Sequence, residues 1–203
     1  MLSRLLFSSS VLMLLAVSSW GQNQWKLVKN DKGIKVYLEN TDSSKFKGVW
    51  VQALIPGSLK KFDSIIRDVN NHKNWVYHTK NSSLVKTVNP NEIIYYSVTS
   101  LPWPIANRDV VSDMTVAVDT INQTMHVLSH NINGVIDAKN GLVHVPFLRT
   151  EWKVKAENSH MLQFDYYFST DPGGNLASWL VNSFAAKGPY NTFLELKKLL
   201  EAD

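Results

Sequence analysis

Six histidines are the side chains best suited to moving protons or holding a metal near neutral pH, and their spacing decides whether they do either. His126 and His130 are four apart. The alternation around them predicts a strand, on which four residues span about 13 Å, too far to share a metal ion. His72 and His78 flank Trp75 in a stretch without periodicity, and read as surface or internally satisfied histidines. The chain has no cysteine, which removes disulfides, thiolate nucleophiles, Fe–S clusters and cysteine zinc sites together. No Gly-x-Ser-x-Gly elbow and no Walker loop is present. Gly173-Gly174 fits the start of a helix better than a phosphate cradle. From the residues alone we expect no catalytic group, no metal and no cofactor.

One charged motif remains. Arg108-Asp109 closes the stretch Pro102-Trp103-Pro104-Ile105-Ala106-Asn107-Arg108-Asp109-Val110-Val111. Two prolines fix φ and cannot donate backbone hydrogen bonds, so a stiff turn precedes the motif. After it the pattern alternates. Val110, Ser112, Met114, Val116 and Val118 point one way, and Asp113, Thr115 and Asp119 the other. Asn107, Arg108 and Asp109 are expected to be structural, pinning the turn to the strand.

The elements that must carry these residues follow from period and punctuation. Asp31-Lys32-Gly33 is a turn, and Ile34, Val36 and Leu38 alternate after it as a strand. Phe46 to Leu54 reads as a strand bounded by Pro56-Gly57. Ser58 is a good N-cap for a helix with Leu59, Phe62, Ile65, Ile66 and Val69 on one face. About seven strands follow, with clean alternation in Leu148 to Ala156 and in Leu162 to Phe168. That alternation predicts an antiparallel sheet with one wet face. Beyond Asp171-Pro172-Gly173-Gly174, Leu176, Leu180 and Phe184 recur at helical spacing, flanked by Trp179 and Val181. Gly188-Pro189 should kink or interrupt this helix before Phe193, Leu196 and Leu200 continue its stripe. The class is α+β: a curved antiparallel sheet around a long amphipathic C-terminal helix. The space between sheet and helix is either filled by side chains or hollow, and the pattern leaves both open.

Residues 1–21 read as a secretory signal peptide. Arg4 supplies the positive end, Leu5 to Val17 an apolar run too short to span a bilayer, and Ser19 and Gly21 a cleavage site before Gln22. Residues 22–203 are expected to form one domain of an exported protein, periplasmic or secreted. Without Arg4 that part keeps 20 of the chain's 21 basic residues against 17 acidic ones, a net charge of +3. No run of four Lys/Arg occurs, so no nucleic-acid stripe is expected. A slight attraction to anionic membranes is allowed, and the default oligomeric state is monomer. Seven Trp, seven Tyr and eight Phe suit either a generous core or a lined cavity.

Taken in order and spacing, Trp25 with Asp31, Gly33-Ile34-Lys35-Val36-Tyr37, Asn74-Trp75, Pro102 to Val111 and Asp171 to Pro189 resemble the START family of lipid-binding domains, part of the wider helix-grip superfamily. The resemblance covers essentially the whole chain after the signal segment. It implies a deep hydrophobic tunnel closed by the C-terminal helix, and non-catalytic binding, with transfer, of a single lipid or sterol-like molecule. It makes Tyr96, Met114, Trp152, Tyr166, Leu180, Val181 and Phe184 wall candidates, each with ordinary core as the alternative, and puts Trp103 near the entrance. One departure stands out. Many sterol- and phospholipid-binding members of the family carry an Arg six residues beyond the Arg of the Asn-Arg-Asp motif, and here that position is Met114. The alternative reading is a helix-grip cyclase or hydrolase acting on an aromatic substrate, which would need a buried Asp, His or Tyr as acid or base.

Overall fold

Lys32 and Gly33 both take positive φ, 52° and 80°. Such a pair makes a tight hairpin, and glycine adopts it at little cost. The computed structural model describes residues 24–39, 45–137 and 139–202, and the predicted signal segment lies outside them. The turn joins β1 (Trp25–Asp31) to β2 (Ile34–Glu39). In β3 (Val49–Pro56) the alternation is strict: Val49, Val51, Ala53 and Ile55 are buried, and their neighbours are not. The Ser58 hydroxyl accepts from the backbone N–H of Lys61 at 3.3 Å and caps α1 (Leu59–Arg67). A short 3-10 helix, Val69–Asn74, follows.

Then come β4 (Thr79–Asn89), β5 (Glu92–Thr99), β6 (Asn107–Asp119), β7 (Thr124–Asn131), β8 (Leu142–His144), β9 (Phe147–Asn158) and β10 (Met161–Asp171). The chain ends in α2 (Ser178–Phe184) and α3 (Lys187–Glu201). The sheet runs β1-β2-β3-β10-β9-β7-β6-β5-β4 with every neighbour antiparallel, and the short β8 adds to β6 in parallel. This is the α+β helix-grip architecture, a curved sheet closed by C-terminal helices.

α3 packs across β2 and β3 and against α1. There Phe62, Phe164, Leu162, Phe193 and Leu196 are fully buried, and Trp152 stacks on Phe193 with centroids 5.3 Å apart. The C-terminal helix, expected to be kinked or interrupted at Gly188-Pro189, is two helices. The break falls at Ala185-Ala186, one turn before Gly188-Pro189, although both alanines keep right-handed helical dihedrals. Pro189 has no N–H for the carbonyl of Ala185 four residues back, so the ladder lapses there. Pro189 itself sits in the first turn of α3, where a missing donor costs nothing.

A second, smaller core lies on the opposite face of β5 and β6. Tyr96, Val98 and Val111 are buried there beneath Ile132, Ile136 and Leu142. This back cover, built from the chain between β7 and β9, gives β5 and β6 two buried faces.

Candidate functional site

The sheet and the C-terminal helices enclose a cavity of about 620 Å³. It exists because the two helices fill the sheet's concavity unequally. α3 drives large side chains into the sheet, whereas α2 has no buried residue at all. The inner faces of the strands opposite α2 carry Ser97, Thr99, Ser129 and Thr150, which are too short to close the gap. The open question between a filled and a hollow interior therefore has a divided answer: the α3 half is packed and the α2 half is hollow.

Seven of the eight sequence-derived ligand candidates line this cavity. Met114 on β6, Trp152 on β9 and Tyr166 on β10 form its sheet wall, and Leu180, Val181 and Phe184 on α2 form the opposite wall. Trp103 stands at the mouth and is 93% exposed. Tyr96 is the exception and corrects the expectation. It points to the back of the sheet, where its hydroxyl donates to Asp109 Oδ2 at 3.0 Å. The inward residue is its neighbour Tyr95, which pairs with Ser112 of β6 and so shares the face of Met114 and Val110. Among the other cavity residues not foreseen are His72 and Trp75 of the segment after α1. The only signal for Tyr95 was its register against β6, which sequence does not print.

Asn107, Arg108 and Asp109 hold the mouth without lining it. Asn107 Oδ1 accepts from the backbone N–H of Leu101 at 3.1 Å and closes the Pro102–Ala106 turn. The Arg108 guanidinium is buried and donates to three carbonyls: Pro172 and Gly173 at 3.1 Å each, and Ala106. It thus ties the turn to the loop that leads into α2. Gly173, at φ +67°, must be glycine-like for this contact, since a Cβ there would lie 3.0 Å from the carbonyl oxygen of His144. Asp109 accepts from Tyr96 on one side and meets His144 Nδ1 at 3.1 Å on the other, anchoring β6 to β8.

The buried polar groups of the cavity are uncharged. Burial pushes the His72 imidazole down to about 4, and its Nε2 lies 2.9 Å from the Ile66 carbonyl, so the neutral ring carries its proton there. Burial raises the phenols of Tyr95 and Tyr166, which stay protonated. The hydroxyls of Ser112 and Ser129 lie beside Tyr95, yet Ser112 Oγ completes no hydrogen bond, and neither does the Trp75 indole N–H. The described lining contains no Asp, Glu or Arg; its one lysine, Lys187, is exposed. Elsewhere, His126 sits on the outer face of β7 and meets Glu151 at 2.8 Å, while His130 is exposed on the same face. Among the described residues no group of three potential metal ligands comes together.

His72 carries a pH prediction. Its folded pKa lies below its unfolded value of 6.5. Above pH 6.5 both states are neutral and stability is flat. As pH falls from 6.5 to about 4, the unfolded chain takes up a proton that the fold refuses, and stability is lost. We expect about 2 kcal/mol to disappear between pH 7 and about pH 5, before ordinary carboxylates titrate. Urea unfolding at the two pH values measures it. His72→Gln should flatten the difference, and an equal loss in the variant would show that another group carries it.

Comparisons with known proteins fit this geometry. The family model described as "START domain" matches residues 12–117, just over half of the chain. A phosphatidylcholine transfer protein of Rattus norvegicus is 25% identical over 178 residues, covering 84% of this chain and 80% of its own. An uncharacterized protein of Pseudomonas aeruginosa is 29% identical over 177 residues, covering 87% of both chains. The crystal structure of a STAR-related lipid transfer protein from Xanthomonas axonopodis superposes with a TM-score of 0.81 at 25% identity, over 89% of this chain and all of that one. With a hollow helix-grip sheet and a family match over more than half its length, the chain belongs to the START domain family.

Proposed function

We propose that this protein binds one hydrophobic molecule, a lipid or sterol-like compound, inside the cavity and carries it between membranes without chemical change. The observation that carries the reading is the 620 Å³ hollow, walled by Trp152, Tyr166, Met114 and the apolar face of α2 and left unfilled by side chains. A cavity of this size and apolar character is typical of small-molecule sites. Each methylene moved from water into it contributes roughly 0.8 kcal/mol, so a sixteen-carbon chain gains on the order of 10 kcal/mol before ordering costs. The relatives' descriptions as lipid transfer proteins support the same reading. An enzyme built on this cavity would need an acid or base in it. His72 is neutral with its proton committed to a carbonyl, and the phenols are held protonated, which favours binding over chemistry.

The test is native mass spectrometry of the protein made in its own host and purified without detergent. We expect a discrete added mass that extracts into organic solvent, on a polypeptide that begins at Gln22 and is recovered from the exported fraction. A clean apo mass that stays clean after exposure to a total lipid extract would end the binding reading. A mass retaining residues 1–21 would end the proposal of cleavage and export.

Loading requires an opening. We assign it to the Pro102–Ile105 turn and α2, which face each other across the mouth. Trp103 (93% exposed) and Phe184 (52%) stand at this rim, Trp179 (72%) projects from the same helix α2, and such rings suit the interface of a bilayer, where tryptophan concentrates. Lys47 N–H donates to Asn182 Oδ1 at 3.0 Å, which places the chain before β3 against α2. Because the protein has no native cysteine, Lys47→Cys with Asn182→Cys can lock α2 selectively. Transfer of a fluorescent lipid between vesicles should stop in the oxidised double variant and return with reductant. Transfer that continues unchanged in the verified disulfide form would place the gate elsewhere.

A further inference from the structure

We propose that the cavity selects an uncharged amphiphile of roughly 20–25 non-hydrogen atoms, with one chain or one fused-ring body and a hydroxyl or carbonyl, and rejects both ionised heads and two-chain lipids. This rests on the binding reading above and sharpens it in a direction that the phosphatidylcholine relatives do not share.

Charge is the first ground. An ionised head drawn into the cavity would meet no opposite charge, since the described lining has no Asp, Glu or Arg and Lys187 stays in solvent. An unpaired buried ion is strongly disfavoured. Met114, 1% exposed on the inner face of β6, presents a thioether and no charge to the cavity. What the wall does offer is neutral. Tyr95, Tyr166, Ser129 and Thr150 bring hydroxyls to one sheet wall. A few neutral hydroxyls on an otherwise apolar wall favour a ligand that carries a neutral polar group to meet them. Tyr95 is enclosed by protein yet not closely packed, because part of its surface faces the hollow.

Size is the second ground. A cavity of about 620 Å³ lies in the range of single small-molecule sites and, at about 30 Å³ per water-sized group, has room for on the order of 20–25 such groups. A lipid with two long acyl chains is far larger.

Four probes separate the two grounds. Delipidated protein is titrated with mono-oleoylglycerol, oleate at about pH 9, di-oleoylglycerol and dioleoyl phosphatidylcholine, with one-to-one adducts read by detergent-free native mass spectrometry. Mono-oleoylglycerol should bind. Oleate has the same chain with a charge, and di-oleoylglycerol the same chemistry with twice the tail; both should bind at least about tenfold more weakly. Phosphatidylcholine should not bind. Oleate or phosphatidylcholine binding as well as mono-oleoylglycerol would overturn this inference and leave the lipid-binding reading intact. Failure of all four, together with no uptake from a total lipid extract, would overturn both. As a second readout, Met114→Arg should move the preference toward oleate by at least about tenfold. Should that variant fail to fold, Thr150→Lys, less tightly buried on the same wall, is expected to do the same, and an unmoved preference in a folded variant counts against the charge ground.

Discussion

Filling the cavity from its sheet wall, with Ser97→Phe and Thr150→Phe together, is expected to abolish ligand uptake while leaving the fold intact or more stable. Both side chains sit on the inner faces of β5 and β9, half-buried only because they border the hollow. Phenylalanine suits a strand and would occupy space now empty. Apolar surface of Tyr166, Phe168 and Leu180 that now faces the void would gain contacts, so the melting temperature should hold or rise. Uptake should fall by more than about a hundredfold, because a ligand would have to displace two packed rings. Lipid adducts seen by native mass spectrometry, with a thermal melt of the same sample, decide the matter. Unchanged uptake in a well-folded variant would mean that the ligand sits outside this cavity.

Replacing Arg108 by methionine should have the largest effect on stability. The substitution keeps much of the side chain's bulk and removes every donor. Three carbonyls, those of Ala106, Pro172 and Gly173, then lose their partner inside the fold. Hydrogen bonds to a charged donor contribute about 1.5–3 kcal/mol each, and the three share one side chain, so we expect a loss of about 3–5 kcal/mol. For a chain of this length that lowers Tm by on the order of 10 °C. Arg108→Lys should rescue little of it, since one ammonium cannot present the planar fan of donors that reaches a turn and a loop at once. The same loss should loosen the loop ahead of α2 and speed ligand exchange. Calorimetry of the two variants checks the first claim and vesicle transfer the second. A Tm within about 2 °C of the parent would mean that water replaces the guanidinium without cost.

Sequence alone determined the elements whose pattern has a single solution. β9 and β10 alternate polar and apolar residues because one face of each is wet, so Trp152, Tyr166 and Phe164 could be placed inward from spacing alone. Ser58 announced its helix because a cap is a local device, complete within four residues. The family resemblance rests on five segments taken in order and spacing, of which Pro102–Val111 is one whose prolines stiffen the turn locally. What lay beyond the sequence depended on neighbours far along the chain. β5 carries Ile93 and Tyr95 on one side and Ile94, Tyr96 and Val98 on the other, so its pattern has no phase. Only the cover from residues 132 to 142 and the register against β6 decided that Tyr95, not Tyr96, faces the cavity. His72 and Trp75 were likewise invisible as cavity residues, since the short 3-10 helix that holds His72 and ends just before Trp75 has no period to betray a face. The hollow itself is a tertiary result. An apolar helix face predicts burial but not depth: α3 fills the sheet, whereas α2 buries no residue and stands over the hollow.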